Sequence, residues 1–205
     1  MGAAPCWMFA IQFFRVWQTP LAVEGGRWVK FAIGIMCMEL ILVHSGSMFG
    51  FLATRKDPAG YPLKAHQWIA WMIGMAGLYL LFAGAISFSF KSPDLFYLFC
   101  WITASRLLSM FLDARAGTRV AKTRSGVSVA LYLSSLFLSV FVPIPRAGLT
   151  LAVLAQIYPD RPSGGVWTEN PQQALFAGMF YFGLLGLWEL LAPFRADRKP
   201  SRGQL

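Results

Sequence analysis

The chain has 205 residues, of which 57% are hydrophobic and only 13% are charged. About a quarter of the residues are charged in an average soluble domain, so this composition argues against a soluble globular protein. The net charge of +9 would suit nucleic-acid binding, but no nucleic-acid-binding module accompanies it, and no nucleic-acid partner is expected. The charges lie between apolar runs of about 18 residues or more, which is the pattern of a polytopic helical membrane protein.

Residues 1–30 form an apolar segment without the basic start of a secretory signal or a following A-x-A cleavage site. On a helix, Gln12, Arg15 and Thr19 share one side of an otherwise largely aromatic cylinder. This pattern predicts an amphipathic helix in the membrane interface. A short additional span over residues 6–23 is the alternative interpretation.

Residues 31–194 are expected to form one transmembrane bundle, because long apolar runs recur between short polar connections. Residues 147–157 are apolar but too short to cross a bilayer, and a re-entrant, an interfacial or a half-length helix remain open there. The sequence therefore predicts an all-α integral membrane protein, a polytopic bundle of about five transmembrane helices, or six if the N-terminal segment crosses. The predicted spans are about residues 28–54, 68–90, 95–113, 126–142 and 172–194, and residues 195–205 form a basic tail.

The distribution of Lys and Arg predicts the orientation of this bundle. With five spans, eleven of the 18 basic residues lie on the side of the C-terminus and six on the opposite side. Loops rich in Lys and Arg remain in the cytoplasm, so the C-terminal tail is predicted to be cytoplasmic, in the cell membrane. The N-terminus would be outside if residues 1–23 do not span and inside if they do. The basic loops are expected to contact anionic lipid headgroups.

Three charged or titratable side chains, Glu39, His44 and Arg106, fall well inside the predicted spans, where each needs a partner or a purpose. At about 1.5 Å per residue, Glu39 lies about 12 Å below the outer end of its span, Arg106 about 16 Å and His44 about 20 Å. Glu39 and Arg106 match in depth and have opposite charge, and a guanidinium suits a carboxylate well. We therefore predict a buried Glu39–Arg106 pair.

Further polar residues extend this candidate intramembrane network, which comprises Glu39, His44, Arg106, Ser109 and Ser135. Ser109 shares a helical side with Arg106, whereas His44 points away from Glu39. Ser135 belongs to a stripe at helical spacing in the fourth predicted span. This stripe either lines a hydrated cleft or supplies interhelical hydrogen bonds. Its members are Ser128, Tyr132, Ser135 and Ser139.

No pattern in the sequence identifies catalytic residues, a cofactor or a metal site. The two histidines, His44 and His66, are too far apart in depth for a shared haem or metal, and the three cysteines are isolated. There is no nucleophile elbow, P-loop or dinucleotide fingerprint. The leading hypothesis is a small non-catalytic accessory or assembly component of the membrane, with a protein partner there. The alternatives are a proton-coupled or small-solute transporter using Glu39, His44 and Arg106, and a membrane enzyme acting on a lipid-like substrate.

Overall fold

The computed structural model describes the backbone of residues 3–54, 65–89, 93–94, 96–97, 99–101, 118–159 and 165–196. Every regular element in these ranges is helical, so the protein is all-α, as the sequence predicts. Two short 3-10 helices, Pro20–Ala22 and Glu24–Gly26, connect the first two α-helices. The α-helices that we number are α1 (Ala3–Gln18), α2 (Arg27–Thr54), α3 (Ala65–Ser89), α4 (Thr118–Phe141), α5 (Leu151–Ile157), α6 (Val166–Glu169) and α7 (Pro171–Ala196).

Three long helices have bounds close to the predicted spans, and α4 differs. The ends of α2, α3 and α7 lie within three residues of the expected limits, whereas α4 begins at Thr118, two turns before residue 126. The extra turns carry basic residues, and their charge led to the prediction of a loop before residue 126. Lys and Arg are nevertheless good helix formers, so the helix can begin among them. Most of the span predicted at residues 95–113, and residues 197–205 of the tail, lie outside the described part.

One helical segment in the described part of the chain, Pro171–Leu191, is long and apolar enough to cross a membrane. Ile73–Ser89 and Gly126–Phe141 are shorter apolar segments. Membrane spans and buried core helices of soluble proteins share these two properties. Length and composition therefore establish a helical protein with one candidate span.

The chain divides into two compact units. Unit A comprises Met1–Ala32 and Leu133–Leu205, and unit B comprises Ile33–Tyr132. Unit A contains α1, the 3-10 helices, and α5 to α7. Unit B contains α3 and most of α2.

In unit A, α1 packs along α7, and the two helices run in opposite directions. Trp17, near the end of α1, lies edge-on to Phe176 near the start of α7, with 6.2 Å between ring centroids. Phe9 stacks on Phe182 with 5.1 Å between centroids. Residues later in α1 thus contact residues earlier in α7, so the two helices are antiparallel. We call this contact the α1–α7 seam. The face of α1 that is buried consists of Cys6, Ala10, Phe13 and Val16.

Glycines allow this close approach. A Cβ added at Gly178 would overlap the Phe13 ring, and one at Gly186 would lie 2.9 Å from Trp7 Nε1. At Gly183 the nearest atom, Ala10 Cβ, is 3.9 Å away, which is ordinary contact. The seam is therefore tightest at Gly178, where the aromatic ring occupies the space that any larger residue would need.

Residues 142–150, which we call the cap loop, close over the C-terminal end of α1. The Trp17 indole donates a hydrogen bond to the Pro145 carbonyl (3.0 Å), and the Gly148 amide donates one to the Trp17 carbonyl (3.1 Å). A Cβ at Gly148 would overlap the Gln18 carbonyl oxygen, so only glycine fits. Leu149 is fully buried beside this contact point. These contacts fix the loop to the end of α1.

The short helix α5 continues the cap loop and packs on the turn before α2. Thr150 is its N-cap and accepts a hydrogen bond from the Val153 amide (3.3 Å). At the other end, Ile157 lies where a Cβ on Gly26 would be, with 2.5 Å from that atom to Ile157 Cγ1. Gly26 also has a φ of +89°, which favours glycine. Two independent reasons therefore favour glycine at position 26: its positive φ angle, and the Ile157 side chain that occupies the space of a Cβ atom.

Candidate functional site

The best-defined polar group in unit B surrounds Glu39. This residue is only 3% exposed, among Ile35, Met36 and Met38, which are also buried on α2. The Tyr132 phenol from α4 donates a 2.7 Å hydrogen bond to the Met36 carbonyl. Met36 lies one turn before Glu39 on the same helical face, and Tyr132 is within electrostatic range of Glu39. We call Glu39, Met36 and Tyr132 the Glu39 cluster.

Of the five predicted network residues, only Glu39 and Ser135 have side chains in the described part. Ser135 is fully buried and belongs to unit A. The backbone of His44 is helical within α2, but its side chain is outside the described set. Arg106 and Ser109 lie wholly outside the described residues. The Glu39–Arg106 pair therefore stays a prediction.

The polar stripe of α4 faces protein. Tyr132, Ser135 and Ser139 are each at most 1% exposed, and Ser128 is half-buried. The Ser139 hydroxyl donates to the Leu136 carbonyl of its own helix (2.8 Å), and the Tyr132 hydroxyl binds the α2 backbone. The Tyr132 bond joins α4 to α2, as the interhelical alternative to a hydrated cleft requires, whereas the Ser139 bond stays within α4.

A second polar contact lies in unit A, at the end of α5. The ring of Tyr158 is buried, and the Lys30 ammonium lies 5.2 Å from its centroid. A cation above an aromatic face is attracted by the ring's electron density. Burial raises the pKa of Tyr158, because the phenolate would be poorly solvated there. The phenol therefore stays neutral at physiological pH, and the contact anchors α5 to the start of α2.

Metal-binding residues do not gather among the side chains that the structure describes, where no group of three His, Cys, Asp or Glu is found. The Glu39 cluster offers one carboxylate and one phenol. These groups could hold and exchange a proton.

Two contacts were not found from the sequence. The Tyr132–Met36 hydrogen bond joins a side chain to a backbone carbonyl. Every residue has such a carbonyl, so the sequence cannot identify the acceptor. The α1–α7 seam had a partial signal in Gly178, Gly183 and Gly186, because small residues allow helices to pack closely, but they do not identify the partner.

Comparison of the chain with protein-family models, with characterised proteins and with solved structures finds no match. The functional conclusion therefore depends on the residues and contacts described above.

Proposed function

We propose that this chain is a small polytopic membrane protein without chemistry of its own, an accessory or assembly component of the membrane. The observation that supports a membrane most directly is the surface of α3. Ile73, Leu81 and Phe88 are 68%, 71% and 85% exposed, and four other large apolar side chains of α3 are exposed as well. No charged residue occurs between residues 67 and 90.

Such a surface is unfavourable in water. Leaving a large apolar side chain exposed forgoes about 1.5–3 kcal/mol relative to burying it, and soluble monomers rarely expose apolar patches beyond a few hundred Å². In a bilayer the same side chains contact acyl chains. The long helices also have the required length, because α2, α3, α4 and α7 contain 28, 25, 24 and 26 residues. Each is about 36 Å or longer, against about 30 Å for the hydrocarbon core.

The proposed architecture has about five spans: α2, α3, the segment at residues 95–113, α4 and α7. The excess of Lys and Arg on one side places the C-terminal tail in the cytoplasm and the cap loop outside. The basic loops contact anionic headgroups of the cell membrane. A second membrane protein is the expected partner of an accessory component.

The use of the polar side chains favours an accessory role. The Tyr132 hydroxyl joins α4 to the α2 backbone, as a packing group does, and the Ser139 hydroxyl binds a carbonyl of its own helix. A transporter would need a polar path leading from Glu39 through His44 and Arg106, and an enzyme acting on a lipid-like substrate would need a second catalytic group beside Glu39. A specific observation keeps the transporter as the second candidate, since Glu39 is a buried carboxyl group within a predicted span.

A flux measurement separates these functions. The purified chain is reconstituted into vesicles containing a pH-sensitive dye, and a pH gradient is imposed with and without a membrane potential. An accessory protein should give the same proton flux as protein-free vesicles, with Glu39→Gln unchanged. Flux that Glu39→Gln abolishes, while the control Glu189→Gln leaves it intact, would contradict the accessory role and establish the transporter.

A charge swap tests the proposed Glu39–Arg106 pair. Each single variant, Glu39→Arg or Arg106→Glu, should reduce the yield of folded protein, because it leaves two like charges in the membrane. The double variant should restore that yield, as measured by size-exclusion chromatography in detergent. Failure of the double variant to recover would count against direct pairing.

A further inference from the structure

The seam between α1 and α7 covers a large part of the length of both helices. Trp17 faces Phe176, five residues into α7, while Cys6 lies against Gly186, fifteen residues into it. At about 1.5 Å per residue, the contacts extend over about 15 Å along α7. A helix lying in the membrane plane would cross a spanning helix at about one level. If α7 spans, α1 therefore runs through the membrane beside it.

The end of α1 that contacts the cap loop defines its direction. The Trp17 indole and carbonyl bind Pro145 and Gly148, which lie in the connection between α4 and α7. That connection is on the outer side in the proposed orientation. The C-terminal end of α1 is therefore at the outer surface, and its N-terminal end points towards the cytoplasm.

The surface of α1 that faces away from α7 is suited to lipid. Met8, Ile11 and Phe14 are all exposed on it, Met8 by 71% and Ile11 by 56%. The first nine residues of the helix, 3–11, contain no charged or amide side chain. Gln12, Arg15 and Gln18 all lie in the half nearer the cap loop, where a long side chain reaches the headgroups.

We infer that α1 is a sixth membrane span, antiparallel to α7, whose exposed face contacts lipid acyl chains and which places the N-terminus on the same side as the C-terminus. This inference rests on the proposed membrane role of α7. The helix has 16 residues, about 24 Å, and is slightly short for the hydrocarbon core. A short span is accommodated by local thinning of the bilayer and by Arg15 reaching the outer headgroups. The interfacial placement predicted for residues 1–30 gives way to the alternative span.

Cysteine labelling tests the topology in the full chain. Cys6, Cys37 and Cys100 are changed to alanine, and a single cysteine is placed at Gly2 or at Ser201. A membrane-impermeant maleimide is then applied to intact cells and to permeabilised cells. Six spans predict that both positions are protected in intact cells and labelled after permeabilisation. Labelling of Gly2→Cys in intact cells, with Ser201→Cys protected, would overturn the inference and leave the proposed five-span protein standing.

Failure of the proposed function has a different signature. If alkaline carbonate releases the whole chain from membranes, the membrane role of α7 is wrong and the inference falls with it. Retention of the chain, with its two ends on opposite sides, overturns only the sixth span.

Spin-label depth provides a second measurement that does not depend on the number of other spans. Nitroxides are attached one at a time at Ala4, Ile11 and Gln18, which are all exposed on α1. A spanning helix predicts the greatest depth at Ile11, about 10 Å deeper than at either end. Equal depth at the three positions would show a helix in the membrane plane. A label at Ile11 shielded from both lipid and water would show a protein partner on this face and overturn the lipid contact.

Discussion

Gly178→Ala should destabilise the protein, whereas Gly183→Ala, five residues later in the same helix, should not. The added methyl at Gly178 would overlap the Phe13 ring, and the one at Gly183 would lie 3.9 Å from Ala10 Cβ. Phe13 is only 1% exposed and lies 5.8 Å from the Phe182 ring, measured between centroids, so it has little room to move.

The expected magnitudes follow from two opposing effects. Alanine is favoured over glycine within a helix by about 0.5–1 kcal/mol, and this gain applies to both positions. Overpacking a filled core costs about 1–3 kcal/mol, and only Gly178→Ala incurs it. Gly178→Ala should therefore lose up to about 2 kcal/mol, and Gly183→Ala should gain up to about 1 kcal/mol.

The assay is reversible unfolding in mixed detergent micelles, followed by tryptophan fluorescence or circular dichroism. The two variants should shift the unfolding midpoint in opposite directions. A second comparison adds Phe13→Leu, which makes room for the methyl. The double variant should lose less than the sum of the single losses, because the two positions are in contact. Equal effects of Gly178→Ala and Gly183→Ala, with additive behaviour of Phe13→Leu, would refute the α1–α7 seam.

The remaining predictions concern the Glu39 cluster and the cap loop. Tyr132→Phe should cost about 1 kcal/mol of unfolding free energy through the lost bond to the Met36 carbonyl, with an unchanged elution volume in size-exclusion chromatography; no loss would show that this bond adds nothing to stability. Gly148→Ala should cost about 2 kcal/mol or more, because its methyl would meet the backbone oxygen of Gln18. Protease sensitivity of the cap loop should rise in that variant, and an unchanged cleavage rate would contradict the close fit.

The long helices could be predicted because hydrophobic runs and end signals agree. Asn170 followed by Pro171 marks the beginning of α7, since Asn is a favourable N-cap and proline fits the first helical turn. The start of α4 was missed because its first turns are basic, and charge suggests a loop although it permits a helix. Local propensity defines where a helix can form, and packing decides how far it extends.

Pairing between distant helices could not be predicted in the same way. The seam joins Cys6 to Gly186, and nothing in one segment specifies the other when the intervening chain is 179 residues long. The sequence marks Glu39 as a residue that needs a partner, because a carboxyl group in an apolar run is costly, and the structure buries this residue. It does not indicate that Tyr132 lies nearby, because Tyr132 bonds to the backbone carbonyl of Met36, a group that every residue type has.

The measurement that tests the membrane placement most directly is the collision accessibility of a spin label on α3. A nitroxide at Leu81, in vesicles containing the full chain, is compared with one at Glu169, an exposed residue of α6. The label at Leu81 should collide readily with oxygen, which concentrates in the hydrocarbon, and little with a water-soluble nickel complex. The label at Glu169 should show the reverse. Ready collision of the Leu81 label with the nickel complex would place α3 in water and contradict a polytopic membrane protein.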